Sequence, residues 1–135
     1  MDLSLIKQII HHEMSDKRSS PYNERGDKYT HGERVASLAV RMRQLIFPNE
    51  KLYDDVLTVA AWFHDIRNGI TNHAVLGAER TRELLSEHCT DAELNEICSI
   101  IAIHDDRRVD DTNYSNAVKI HQDADYLDHF GTFDI

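Results

Sequence analysis

The 135 residues suffice for one domain and are too few for two, and hydrophobic and charged fractions of 41% and 29% are those of a globular chain rather than a disordered one. With 24 acidic against 15 basic residues the net charge is −9, which argues against a nucleic-acid polymer as partner but not against a phosphorylated small molecule held beside a bound cation. No apolar run approaches the ~18 residues of a membrane span, and the opening MDLSLIKQIIHHEM lacks the basic start and cleavage site of a secretory signal, so a cytoplasmic protein without a membrane partner is expected.

Helical periodicity dominates, with no strand-like alternation, no repeat, two prolines and five glycines. The first predicted helix runs from about Leu3 to Met14, with Leu3, Ile6, Ile9 and Ile10 on one face. A polar segment, Ser15 to Lys28, carries Pro21, Asn23 and Gly26 and reads as a loop. It is long for a compact domain, as binding loops often are. The second helix covers about Tyr29 to Phe47, with His31, Val35, Leu38, Met42 and Leu45 as its buried stripe, and Pro48-Asn49 ends it.

The third helix, about Lys51 to His64, places Val56, Leu57, Ala60, Ala61 and His64 in one register, and Asn68-Gly69 marks a turn. A fourth follows from about His73 to His88, with Leu76, Leu84 and Leu85 as buried candidates. Thr90-Asp91-Ala92-Glu93 reads as the cap of a fifth helix, about Asp91 to His104, whose stripe is Leu94, Ile97, Ile101 and His104. After a charged loop the sixth runs from about Asn116 to Phe130. The expectation is an all-α, single-domain bundle of about six helices spanning 1–135. Cys89 and Cys98 fit neither a metal pair nor a disulfide framework and read as ordinary helix residues.

Chemistry is concentrated where the apolar stripes are interrupted. His31, His64 and His104 occupy stripe positions near helix ends, and Asp65 follows His64 directly. One such imidazole is ordinarily a hydrogen-bonded core residue. Three at helix ends beside an aspartate favour a metal site, because His and Asp are its usual ligands. The sixth helix adds His121, Asp125 and Asp128 on one face. Carboxylates turned into a bundle need a partner, and a cation supplies one.

The segments THGERVASLAV, AAWFHDIRNG, AIHDDR and QDADYLDHFG together resemble the HD superfamily of metal-dependent phosphohydrolases. The family pattern is a lone His, a His-Asp pair and a distal Asp, all on helices, and His31, His64-Asp65 and Asp125 match it in order. Asp125 is preferred to Asp123 because the closing motif resembles Ala124, Asp125 and Asp128, and because residues 123 and 125 face different sides of a helix. The resemblance covers roughly residues 25–131. It implies an HD-like fold, one or two divalent ions (Mn, Fe, Mg, Zn, Ni or Co), and hydrolysis of a phosphomonoester or phosphodiester in a nucleotide-like substrate. His73, in HAVLGAERTRELL, and His104 resemble two further histidines that hold a second ion in some members; otherwise His73 merely starts a helix and His104 lines the pocket.

Asp65, His104 and Arg67 are the expected catalytic residues, and Arg34, Arg67, Arg107, Arg108 and Lys119 are candidates for meeting a phosphate. Arg67 is the best placed, two residues past the His-Asp pair. Family nucleotidases often carry an acidic or His residue three positions after the motif Asp, and cyclic dinucleotide enzymes carry Lys; here that residue is Asn68, which cannot act as a general acid or base. Proton transfer is then left to His104 or Asp105. The chain stops at Ile135, just past the last motif, where many relatives continue. It is expected either to be a compact member or to need a covering segment or a second subunit, which leaves a homo-oligomer open. Three other readings stay open: an HD-type di-iron oxygenase, a non-catalytic binding or regulatory domain, and a helical domain with no bound metal.

Overall fold

The computed structural model describes residues 1–17, 22, 26–106 and 113–132, with the side chains of 131 and 132 excepted. Six α-helices carry the fold, and no strand occurs among the described residues. They are α1 (Leu3–Met14), α2 (Asp27–Ile46), α3 (Asp54–Phe63), α4 (His73–Leu85), α5 (Asp91–Ala102) and α6 (Asn116–Thr132). A 3-10 turn, Lys51–Tyr53, leads into α3. Among the described residues no helix is long and apolar enough to cross a membrane.

The architecture follows from α3, which is apolar almost all round. Val56, Leu57, Val59, Ala60, Ala61 and Phe63 are buried, as a helix packed on several sides requires. The helices α1, α2, α5 and α6 pack around it, and α4 is held on through α5. Small residues set the spacing. Gly32 of α2 lies so close to α3 that a Cβ there would stand 3.1 Å from the Ala61 carbonyl oxygen and 3.3 Å from the Trp62 Cα. That contact brings the first half of α2 against the C-terminal end of α3, where the His-Asp pair sits.

Local signals explain the starts of α1, α2 and α5. The Asp2 carboxylate accepts from the backbone N–H groups of Ser4 and Leu5 at 3.0 and 3.2 Å and caps α1. Thr90 and Glu93 form a reciprocal capping box at the start of α5. Gly26 enters α2 with φ 78°, a left-handed conformation that suits glycine.

The structure departs from the sequence reading in several places. The third helix is shorter than expected, since Lys51–Tyr53 winds as 3-10 before Asp54. The fourth ends at Leu85, so Cys89 lies in the turn to α5; both cysteines are free. Leu45, assigned to the buried stripe of α2, is 69% exposed. At that end the inward position belongs to Arg43, whose guanidinium is buried in a paired ion contact with Asp54, both N···O distances 2.7 Å. Leu76 is also exposed, because α4 meets its neighbours through the small residues Ala74, Gly77, Ala78 and Thr81.

Candidate metal centre

Four helices deliver the polar side chains to one place. His31 comes from the second turn of α2, His64 from the C-cap of α3 with Asp65 just beyond, His104 from just after α5, and Asp125 from the middle of α6. All five are buried. His31 Nε2 lies 2.9 Å from Asp125 Oδ1 and 3.7 Å from Asp65 Oδ2. His64 Nε2 lies 3.4 Å from each of these same two oxygens.

The tautomers are fixed from behind. The Nδ1–H of His64 donates to the Ala61 carbonyl at 2.6 Å, and that of His104 to the Ile101 carbonyl at 2.7 Å. Both imidazoles therefore turn Nε2 inward, where in the neutral ring it is a lone pair. His64 Nε2 finds no well-directed hydrogen-bond donor or acceptor there. In the neutral rings these lone pairs face carboxylate oxygens, acceptor against acceptor, and either a proton or a metal ion between them resolves this. At metal–ligand distances of about 2.1 Å, neighbouring ligands of an octahedral ion stand roughly 3 Å apart, close to the spacings seen here. The ligand atoms of His31, His64 and Asp65 all lie within 4.8 Å of one another, a set that could hold a metal ion.

The electrostatics carry the same signature. Burial opposes a charge on His64, but the carboxylates of Asp65 and Asp125 outweigh it and raise its pKa to about 9. Burial would likewise raise the two aspartates; the surrounding His64, His31 and, for Asp65, Lys28 and His104 hold both well below the usual carboxylate range. Burial and the nearby His64 charge push His104 down.

A second set adjoins the first. Asp65 divides its oxygens: Oδ2 faces His31 and His64, while Oδ1 lies 3.8 Å from His104 Nε2. The ligand atoms of Asp65, His73 and His104 also gather within 4.8 Å. His73, the first residue of α4, further approaches Asp105 at 3.6 Å.

The basic candidates separate. Arg34 is committed to the cluster's support: its Nε donates to Asp128 Oδ1 at 2.8 Å, and Asp128 Oδ2 accepts from His31 Nδ1 at 2.6 Å. Arg67 is half-buried and makes no hydrogen bond or ion pair within the described residues. Lys119 stands on the side of α6 roughly opposite His121, Asp125 and Asp128. Arg107 and Arg108 lie outside the described residues. Asp123 is exposed and Asp125 buried, so the two do face different sides.

Three participants were missed. Lys28 is buried with its Nζ 3.4 Å from Asp65 Oδ2. It precedes His31 by one turn of α2, a spacing that places it on the same face. Asp128 was noticed only as part of a face, not as the partner that orients His31. His129 Nε2 lies 3.7 Å from Asp125 Oδ1, at the i,i+4 spacing that joins side chains on a helix. His121, fully buried, packs its ring against that of His64 with neither ring nitrogen hydrogen-bonded, and burial holds it neutral.

Among known families, the model described as HD domain matches residues 28–129. No curated protein and no solved structure matches the chain.

Proposed function

The chain belongs to the HD-domain family, and from that premise we propose that it is a metal-dependent phosphohydrolase acting on a phosphomonoester or phosphodiester bond of a nucleotide-like small molecule. The observation that carries this reading is the meeting of two imidazole Nε2 atoms with two carboxylate oxygens around one point, at separations of 2.9 to 3.7 Å. His31, His64, Asp65 and Asp125 would hold one divalent ion, and His73 and His104 would hold a second through the other oxygen of Asp65. Such an ion acidifies water and neutralises charge that grows on a phosphoryl group.

The rest of the work falls to the chain's own side chains. Ser-, Thr- or Cys-based covalent chemistry has no support in this cluster, so positioning and positive charge must dominate, as phosphoryl transfer permits. Lys28, with its Nζ 3.4 Å from Asp65, brings an ammonium group to the cluster, and Arg67 adds a guanidinium with no partner among the described residues to meet a phosphate. Asp128 and the carbonyls of Ala61 and Ile101 hold His31, His64 and His104 in the tautomer that turns Nε2 to the centre. Where no second ion is held, neutral His104 can accept a proton at Nε2, with His73 and Asp105 beside it. Asn68 takes no proton-transfer part.

The test combines elemental analysis of gently purified protein with turnover of nucleotides, cyclic dinucleotides and dinucleoside polyphosphates. Bound divalent metal and phosphate release, both lost in His64→Ala and Asp65→Ala variants that still fold, are expected. Metal-loaded protein that hydrolyses nothing in the panel counts for the binding-domain reading, and oxygen consumption by an iron-loaded sample for the oxygenase.

A further inference from the structure

We infer that His129 is a further protein ligand of the ion at His31 and Asp125, supplied from the solvent side of the site. The inference rests on the metal-centre reading above and adds a residue to it. Its basis is the surroundings of one atom, Asp125 Oδ1. Three imidazole Nε2 atoms approach that oxygen: His31 at 2.9 Å, His64 at 3.4 Å and His129 at 3.7 Å. The ligand atoms of His31, Asp125 and His129 lie within 4.8 Å of one another. The His129 ring is 4.9 Å from that of His31, centroid to centroid.

The placement is not a by-product of core packing. His129 is 53% exposed, yet its Nε2 is turned to the cluster. Asp125 and His129 stand one helical turn apart on α6, the separation at which two side chains of a helix can grip a single ion. His31, His64, Asp65 and Asp125 are buried; His129 comes from the open side. It would therefore close the outward face of the site.

Because His129 is exposed, its replacement should leave the fold intact. Wild-type protein, His129→Ala, and His12→Ala as an exposed-histidine control are stripped of metal and titrated with Co(II) in competition with a chromogenic chelator, while visible absorption is recorded. Loss of even an outer partner of a metal site typically weakens it by roughly tenfold or more, so His129→Ala should weaken the tighter site at least that much. The ligand-field band should shift as well, and His12→Ala should change neither. An unaltered affinity and spectrum in His129→Ala overturns the role of His129 and leaves the metal centre standing. A wild-type chain that binds no Co(II) overturns both.

Discussion

Replacing Asp128 with Asn tests whether the metal centre depends on the hydrogen bonds behind it. Asp128 is buried and accepts from two donors at once, His31 Nδ1 at 2.6 Å and Arg34 Nε at 2.8 Å. Asn has almost the same shape but one acceptor oxygen, and its amide NH2 must then face one of those N–H groups, donor against donor. One charge-assisted bond is lost and a buried donor is stranded, at about 1–3 kcal/mol. The Arg34 side of the pair is a third exposed and adds little because solvent screens it. A loss of about 2 kcal/mol lowers the melting temperature by roughly 6–10 °C in a chain of this size. The effect on function is separate. With His31 no longer held by a carboxylate, metal affinity should fall about 10–100-fold. Urea denaturation of metal-free protein reads the first quantity, and competition with a chelator reads the second. Asp123→Asn, on the exposed side of α6, serves as the control. Should Asp128→Asn lose stability yet bind metal within twofold of wild type, Asp128 is only a structural anchor, and the orientation argument is wrong.

Two more expectations concern packing and protons. At Gly32→Ala the new Cβ meets backbone atoms of Ala61 and Trp62 at 3.1 and 3.3 Å, which cannot rotate away; overpacking of about 1–3 kcal/mol outweighs a helix-propensity gain of up to ~1 kcal/mol. Urea midpoints should drop, and a stabilised variant would show that α2 and α3 separate freely. In metal-free protein His64 has a pKa near 9, against ~6.5 for an unfolded histidine. Between those values the native state holds the proton and the unfolded chain does not. This contribution to stability is therefore complete below pH ~6.5 and fades as pH climbs through 9. Metal competes with that proton, so its affinity should strengthen over the same interval and level off above it. Calorimetry in buffers of differing ionisation heat should record proton release on binding at pH 7.5; a pH-independent affinity would dispose of the link.

The fold was legible because each helix states its period, and several also state their ends. The Thr90–Glu93 box and the Pro48-Asn49 break are local devices, and α1 and α5 begin where the sequence places them. What misled was the assumption that large apolar residues mark the inner face throughout. At Arg43 an ion pair claims the inner position, and in α4 a run of small residues does. The candidate ligands His31, His64, Asp65 and Asp125 were readable as polar interruptions of apolar stripes, which burial must compensate. Lys28 and His129 were not, although helical spacing links each to a ligand. A lysine or histidine one turn from a ligand is as often solvated as not, and only the packing of α2 against α3 and α6 decides it.

The way Asp65 shares its two oxygens has a consequence of its own. A carboxylate is one conjugated group, so electron density drawn toward a cation at Oδ2 is withdrawn from Oδ1, two bonds away. Any ions lodged at the two ends would compete for the same donor and would repel each other across it. Loading of the pair would accordingly be stepwise, with a firmly held ion and a readily exchanged one, and the second would respond to cellular supply while the first stayed put.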